Sequence, residues 1–231
     1  MKKKIIVGAA IFLVLILLIF VFTSKGHTSE GVAYIKEQEA LKTTKLSKKL
    51  TNKRIEEKTT LIKEGKLDVF SMFDDYALYG DSRVYGFGTY GFLPWNAVFA
   101  NAGNTILNIS DFNEQLKQIN PSKLYFSYGV NDMGLQIKKE GGTYADLYEE
   151  KVKEALKICP NAKVFINSII PPTAATLEEN PSWSKTDEYN AQLKKMCKKN
   201  GWTYIDVTGV TENGNPEFYQ PDGIHFVRDI Y

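Results

Sequence analysis

From residue 67 onward, short apolar runs alternate with longer stretches whose apolar residues recur at helical spacing. Five of the short runs are rich in β-branched and aromatic residues and therefore predict β-strands. They span residues 76–79, 97–100, 123–127, 162–167 and 202–207. Strand–helix alternation of this kind predicts right-handed crossovers and a mostly parallel five-stranded sheet with helices on both faces. The predicted fold class is therefore α/β.

Two of the intervening helices have ends that the sequence marks. Thr143 and Asp146 form a capping-box pattern at the start of one helix, and apolar residues follow at helical spacing as far as Cys159. The other predicted helix runs from Thr186 to Lys199 and ends before Gly201, a residue suited to the left-handed conformation at a helix C-terminus. We expect these two crossover helices side by side on one face of the sheet.

Several polar residues follow the predicted strands directly. Ser82 comes after the first strand, Gly103 and Asn104 come after the second, and residues 129–132 (Gly-Val-Asn-Asp) come after the third. The carboxyl ends of parallel strands meet at one edge of a sheet, where α/β proteins bind their ligands. We therefore expect these segments on the same rim. Residues 221–225 (Pro-Asp-Gly-Ile-His) lie beyond the fifth strand, on a loop that can return to that rim.

Histidine and cysteine are too scarce to suggest a metal site. His225 is one of two histidines, and the other, His27, lies far upstream of the predicted sheet. Cys159 and Cys197 are well separated, and no metal-ligand pattern stands out, so we predict no cofactor. An extracytoplasmic location would permit a disulfide between the two cysteines, but buried free thiols are the preferred interpretation.

The first 24 residues predict a cytoplasmic tip and a membrane anchor. Residues 5–22 contain no polar side chain, and a helix of this length measures about 27 Å, close to the roughly 30 Å of a bilayer's hydrocarbon core. The run continues into residues 23–25 without a small-x-small cleavage pattern, which favours an uncleaved signal anchor over a cleaved signal peptide. Lysines at positions 2–4 predict a cytoplasmic N-terminus and an extracytoplasmic C-terminal part.

Residues 25–66 predict a basic stalk between this anchor and a globular part at 67–231. The stalk contains eleven Lys and Arg against six Glu, and its apolar residues are too irregularly spaced for a sustained heptad. A solvated helix and a partly disordered linker both remain open. The formal net charge of the whole chain is +2, and positions 2–4 contribute +3 while the stalk contributes +5. The globular part therefore has a net charge of −6. This acidic balance argues against nucleic-acid binding.

Four segments of the globular part carry a resemblance to a known family. Residues 80–82 (Gly-Asp-Ser), Gly103, residues 129–132 and residues 222–225 (Asp-Gly-Ile-His) resemble, in this order, the four sequence blocks of the SGNH (GDSL-type) hydrolase superfamily. The resemblance extends over residues 70–228. It implies a flavodoxin-like, three-layer α/β/α fold and a serine esterase or acyltransferase site.

The resemblance also implies roles for the matching residues. Ser82 is the expected nucleophile, His225 the base, and Asp222 the acid that orients His225. The backbone N–H groups of Ser82 and Gly103 and the side chain of Asn131 are the expected oxyanion-hole donors. The chemistry agrees, because a serine hydroxyl needs a neutral imidazole to take its proton, and a carboxylate three residues before a histidine can reach the other ring nitrogen.

Arg83 stands where the GDSL motif has leucine. Its guanidinium is a candidate clamp for an anionic group of the substrate, and an exposed side chain or surface salt bridge is the alternative. We expect Asp81 and Asp132 to support local turns. Asn190 is expected to tie a loop to its helix, and orientation of site residues is the alternative. Aromatic residues that are candidates for the wall of an acyl or sugar pocket are Tyr90, Trp95, Trp183 and Phe218.

The sequence therefore predicts a membrane-anchored serine esterase that removes O-acyl groups, above all acetyl groups, from carbohydrate or lipid of the cell envelope. The alternatives are an acyltransferase of the same fold, which differs only in the acceptor, and a catalytically silent binding module. The chain ends six residues after His225, where members of the superfamily usually continue into a helix, so we expect a truncated C-terminus. No pattern in the sequence indicates an oligomeric state.

Overall fold

The structure is a computed structural model. It describes residues 30–40, 43–212 and 214–231. The chain divides into two compact units, Met1–Leu67 and Asp68–Tyr231. The boundary between the units falls at the end of the predicted stalk.

Two helices make up the described part of the first unit. They are α1, Glu30–Ala40, and α2, Thr43–Lys63. No residue of α2 is buried, and Lys53 and Glu57 form an exposed i,i+4 pair at 3.8 Å. The described part of the stalk is therefore helical, and α2 is solvated. None of the helices in the described residues is long and apolar enough to span a bilayer, and the predicted anchor at residues 5–22 lies outside those residues.

The second unit is built on a five-stranded sheet. Its strands are β1 (Tyr76–Gly80), β2 (Val98–Ala100), β3 (Lys123–Ser127), β4 (Lys163–Asn167) and β5 (Thr203–Ile205). They lie in the order β2-β1-β3-β4-β5, and every pair is parallel. This is the strand order of flavodoxin-like folds. The five strands predicted from the sequence and their parallel arrangement are confirmed.

The fifth strand is shorter than predicted. The sequence predicts residues 202–207, but the strand ends at Ile205. Asp206 Oδ1 accepts hydrogen bonds from the Thr208 backbone N at 3.1 Å and from Thr208 Oγ1 at 2.7 Å. Aspartate favours turns through local bonds of this kind, and here the turn ends the strand.

Helices connect the strands of the second unit. In its described residues the α-helices are α3 (Ser82–Thr89), α4 (Asn113–Ile119), α5 (Val130–Gly134), α6 (Tyr144–Ile158), α7 (Ala174–Glu179) and α8 (Thr186–Asn200). Short 3₁₀ helices span Val69–Met72, Ile106–Phe112, Pro181–Lys185, Thr208–Thr211, Pro216–Phe218 and Arg228–Ile230.

Helices pack on both faces of the sheet, as the sequence predicts. Successive residues of a strand point to opposite faces. Ala77 and Tyr79 of β1 belong to the larger apolar cluster, which also contains buried residues of α4, α6 and α8. Tyr76 and Leu78 belong to a second cluster, to which α3 contributes Val84. The strand ends that carry the predicted site residues therefore lie between helices on either side.

Both predicted helix ends are confirmed. Thr143 Oγ1 accepts a hydrogen bond from the Asp146 backbone N at 3.2 Å, and Asp146 Oδ2 accepts one from the Thr143 backbone N at 2.8 Å. Gly201 ends α8 with φ of 69°. Cys159 and Cys197 are buried free thiols, which is the interpretation that the sequence favours. Burial raises the pKa of both thiols, that of Cys197 to about 11.

One ion-pair cluster joins α6 to α8. The Glu149 carboxylate, 12% exposed, accepts hydrogen bonds from Lys153 Nζ at 2.5 Å and from Lys199 Nζ at 2.9 Å. The bonds from Lys153 and then Lys199, which outweigh the opposing effect of burial, lower the pKa of Glu149 to about 2. Ionised Glu149 therefore stabilises the folded state.

We expect Glu149→Gln to lower the free energy of unfolding by about 1 kcal/mol at pH 7, because both lysine partners are exposed. A carboxyl with a lowered pKa stabilises fully above its unfolded-state pKa, and this contribution is lost as the pH falls through the folded-state value. The difference from the wild type should therefore be constant above pH about 4.5 and shrink toward pH 2. Urea unfolding at several pH values, with the exposed Glu178→Gln as control, measures it. A difference independent of pH would contradict this account.

Candidate active site

Ser82 lies at the junction of β1 and α3. The strand ends at Gly80, the helix begins at Ser82, and Asp81 caps it by accepting a hydrogen bond from the Arg83 backbone N at 2.9 Å. This local role of Asp81 is the predicted one. A Cβ atom at position 80 would lie 2.1 Å from Val84 Cγ2, so only glycine permits so close a contact between strand and helix. The turn places Ser82 at the N-terminal end of a helix dipole.

Ser82, His225 and Asp222 form a continuous hydrogen-bonded row. His225 Nε2 lies 2.9 Å from Ser82 Oγ, and His225 Nδ1 lies 2.6 Å from Asp222 Oδ2. A carboxylate only accepts hydrogen bonds, which places the proton on Nδ1 and leaves Nε2 free to accept from the serine hydroxyl. The structure therefore brings together the three residues that the sequence predicts for nucleophile, base and orienting acid.

The Asp222 carboxylate is stabilised in its ionised form. Partial burial would raise its pKa, but hydrogen bonds from the His225 ring and from the backbone N–H groups of Ile224 and His225 outweigh this and lower it. Both backbone groups donate to Oδ1 at 2.9 Å. One oxygen thus shapes the turn, and the other is directed at the imidazole.

The loop that carries Asp222 and His225 rests on the segment after β4. The Thr173 backbone N donates to the Gly223 carbonyl at 2.9 Å, and Thr176 Oγ1 donates to the Asp222 carbonyl at 3.2 Å. Gly223 has φ of 65°, and a Cβ there would lie 2.1 Å from Thr176 Oγ1. Sequence reasoning missed Thr173 and Thr176. Nothing in their local sequence points to a partner about fifty residues downstream.

The predicted oxyanion-hole residues lie at the ends of the strands on either side of β1. Gly80 pairs with Ala100 of β2 and with Ser127 of β3, so Gly103 and Asn131 follow strands that flank the one preceding Ser82. Gly103 has φ of 81° and open space around its Cα. Asn131 Nδ2 donates one of its hydrogens to the Asn104 carbonyl at 2.9 Å, which leaves the other hydrogen for a further acceptor.

Asp132 does not support the local turn that the sequence suggested. Its Oδ1 accepts a hydrogen bond from the Ile106 backbone N at 2.9 Å. Asp132 therefore links the helix that carries Asn131 to the loop that carries Gly103. The side chain is fully buried. Burial, which outweighs the bond from Ile106, raises the pKa of Asp132 to about 7.

Arg83 has neither of the two environments expected from the sequence. It is 8% exposed, so it is not a surface side chain. Its Nε donates to the Ile224 carbonyl at 3.0 Å and its Nη1 to the Ile170 carbonyl at 2.5 Å. Burial lowers the pKa of Arg83, and the neighbouring Asp81 opposes this shift. These contacts do not favour a clamp for a substrate anion, because the guanidinium is directed at the protein's own backbone.

Asn190 ties a loop to its helix, as predicted. Its Oδ1 accepts from the Ile169 backbone N at 2.7 Å, and its Nδ2 donates to the Ile169 carbonyl at 2.9 Å. Among the candidate wall residues, Trp183 is fixed by a 2.7 Å bond from its Nε1 to the Val130 carbonyl, next to Asn131. No group of His, Cys, Asp or Glu in the described residues is arranged to hold a metal ion.

The buried Asp132 predicts a stability that depends on pH. A carboxyl whose folded-state pKa is raised destabilises the folded state once it ionises, and this cost grows from pH about 4 to about 7. Asp132→Asn keeps the Oδ1 acceptor for Ile106 but carries no charge. We expect its free energy of unfolding to rise relative to wild type by roughly 2 kcal/mol between pH 5 and pH 8.

Urea unfolding at the two pH values measures this change, with Asp229→Asn, at an exposed position, as the control. An equal difference between Asp132→Asn and the wild type at both values would contradict the assignment.

Comparison with known proteins agrees with the fold. The GDSL-like lipase/acylhydrolase family matches residues 78–231. A Bacteroides fragilis structure assigned as an acylhydrolase is 18% identical, with a TM-score of 0.53 over 68% of this chain and 80% of that one. A GDSL-like lipase from Bacteroides thetaiotaomicron is 16% identical, with a TM-score of 0.51 over 74% of this chain and 91% of that one. No curated protein matches. The chain belongs to the GDSL-like lipase/acylhydrolase family.

Proposed function

We propose that this family member is a serine-dependent hydrolase of O-acyl esters, with Ser82 as nucleophile, His225 as general base and Asp222 as the residue that orients the imidazole. The observation that carries this proposal is the row from Ser82 Oγ to His225 Nε2 at 2.9 Å and from His225 Nδ1 to Asp222 Oδ2 at 2.6 Å. A base within hydrogen-bonding distance of a hydroxyl, itself held by a third group, is the arrangement that activates a serine.

In the proposed mechanism Ser82 Oγ attacks the ester carbonyl carbon while its proton moves to His225 Nε2. The C=O electron pair moves to oxygen, and the oxyanion is stabilised by the backbone N–H groups of Ser82 and Gly103 and by Asn131 Nδ2. Collapse of this intermediate releases the alcohol, which takes the proton from His225, and leaves an acyl group on Ser82. Water then loses a proton to His225 and attacks the acyl carbon to form a second tetrahedral intermediate. The bond from the acyl carbon to Ser82 Oγ breaks, Ser82 Oγ takes the proton back from His225, and the carboxylic acid leaves.

The exposure of the His225 and Asp222 side chains supports hydrolysis of an ester on a large substrate. The side chains of His225 and Asp222 are 39% and 44% exposed. Water can therefore reach the acyl group, and a bulky carrier can approach without entering a deep cavity. We propose acetyl or another short acyl group on carbohydrate or lipid of the cell envelope as the substrate, with transfer to a second acceptor as the variant to be tested.

We further propose that residues 1–24 anchor the protein in the cell membrane, with residues 67–231 extracytoplasmic. The eighteen apolar residues 5–22 behind three lysines support this orientation. A reporter fused after Phe70 should be active outside the cytoplasm. Activity of that reporter only inside the cytoplasm would overturn the orientation.

We expect Ser82→Ala to reduce kcat/KM for small acetyl esters by at least about 10³-fold, because it removes the attacking oxygen. The full-length chain in detergent should be assayed with 4-nitrophenyl acetate and with acetylated wall glycans. Ser110→Ala, which removes an exposed serine hydroxyl, is the matched control and should retain activity. A fluorophosphonate should label Ser82 in the wild type and leave Ser82→Ala unlabelled.

Equal turnover by the wild type and Ser82→Ala would exclude Ser82 as nucleophile. Failure of the wild type to react with any ester or with the fluorophosphonate would favour the binding module. Recovery of the acyl group on a sugar acceptor rather than as free acid would favour transfer over hydrolysis.

A further inference from the structure

The guanidinium of Arg83 contacts the residues on both sides of His225. Its Nε donates to the carbonyl oxygen of Ile224 at 3.0 Å, and its Cζ lies 4.5 Å from the centre of the Phe226 ring. The hydrogen bond holds the peptide plane that leads into His225, and the cation–π contact holds the chain that leaves it. One side chain therefore contacts both neighbours of His225, the first through its backbone and the second through its ring.

Arg83 is also the residue that follows Ser82 in the chain. Its backbone N–H donates to Asp81 Oδ1 at 2.9 Å in the first turn of α3, the helix that begins at Ser82. The backbone of Arg83 thus belongs to the element that carries Ser82, while its side chain holds the loop that carries His225. Because this side chain is buried and bonded at two nitrogens, the connection between the two elements has little freedom to lengthen.

The second of these bonds fixes the guanidinium to the interior of the domain. Nη1 donates to the Ile170 carbonyl at 2.5 Å. The preceding residue, Ile169, is held by both polar atoms of Asn190 in α8. The segment after β4 is therefore itself held in place, and Arg83 is bonded to this segment as well as to the loop of His225.

Stability is a poor explanation for a charged side chain at this position. Transfer of a charge into the interior is costly, and buried ion pairs are often no more stabilising than apolar residues of similar volume. Nη2 of Arg83 is buried without a hydrogen bond to the described part of the protein, which adds to the cost. The leucine of the GDSL motif would avoid this cost. The contacts of the guanidinium around His225 therefore explain an arginine at position 83 better than a gain in folding stability does.

We propose that Arg83 is a positioning residue, which holds the loop of His225 at hydrogen-bonding distance from Ser82. This inference rests on the proposed function, because it assigns Arg83 to the support of the same pair. Arg83 makes no bond to the substrate and transfers no proton. Arg83 instead increases the fraction of time that His225 Nε2 lies within hydrogen-bonding distance of Ser82 Oγ. Small displacements of reacting groups have large effects on the reaction rate.

The test uses the full-length chain in detergent and replaces Arg83 with methionine, which keeps most of the side chain's length and loses both hydrogen bonds. We expect Arg83→Met to lower kcat for 4-nitrophenyl acetate by about 10- to 100-fold, with KM changed less than about 3-fold. The rate of fluorophosphonate labelling should fall by the same factor, because it depends on the same Ser82–His225 pair. A merely structural role would leave both rates unchanged per folded molecule.

Arg228→Met is the matched control. Arg228 also lies over an aromatic ring, with its Cζ 5.2 Å from the centre of Phe92, and its loss removes the same charge close to the same loop. It should leave kcat and labelling unchanged. If Ser82→Ala abolishes activity while Arg83→Met matches Arg228→Met, positioning by Arg83 is refuted and the proposed function stands. If Ser82→Ala is fully active, the proposed function itself fails.

Arg83→Lys keeps the test decisive if Arg83→Met does not fold. Lysine retains the charge, but its single ammonium lacks the planar fork that reaches two carbonyl oxygens in fixed directions. We expect it to fold with a Tm close to that of the wild type and to lose kcat by about 3- to 30-fold, again with little change in KM. Wild-type kcat and labelling in a folded Arg83→Lys would overturn the proposal.

Discussion

The close contact at Gly80 is the constraint on which the site depends. There is no room for a side chain between the end of β1 and the first turn of α3, where a Cβ would lie 2.1 Å from Val84 and 2.8 Å from the Ser127 carbonyl. The chain therefore passes from strand to helix in one tight turn, and Ser82 is placed at the strand end. Because β1 lies between β2 and β3, the loop of Gly103 and the helix of Asn131 follow its two neighbours.

The loop of His225 reaches this rim from 143 residues further along the chain, and three sets of contacts support it. Its turn is shaped from within by Asp222, its underside rests on Thr173 and Thr176, and the guanidinium of Arg83 holds its far end. Only the first of these supports is local in sequence. The geometry of the row is therefore a property of the tertiary structure.

This difference explains how much could be predicted from the sequence. The strands, the capping box at Thr143 and the cap formed by Asp81 follow from patterns within a few residues, and so does the spacing of Asp222 and His225. The environment of Arg83 could not be predicted, because its partners lie 87 and 141 residues away. The prediction of a local role for Asp132 was wrong for the same reason, because its backbone partner, Ile106, lies in another segment of the chain. Long-range contacts of polar side chains leave no periodic signal in the sequence.

The charged groups of the site lie at two depths in the protein, and dissolved salt affects them differently. Asp222 and His225 are partly exposed, so dissolved ions can approach the Asp222 carboxylate and screen its charge. Arg83 and Asp81 are buried beneath them, where screening by salt is weak. A rise in ionic strength therefore acts on the Asp222 carboxylate and has little effect on the interactions of the buried Arg83 guanidinium. The hydrogen bonds of Arg83 and Asp81, which hold the loop of His225 and the first turn of α3, therefore keep the same geometry at low and high salt.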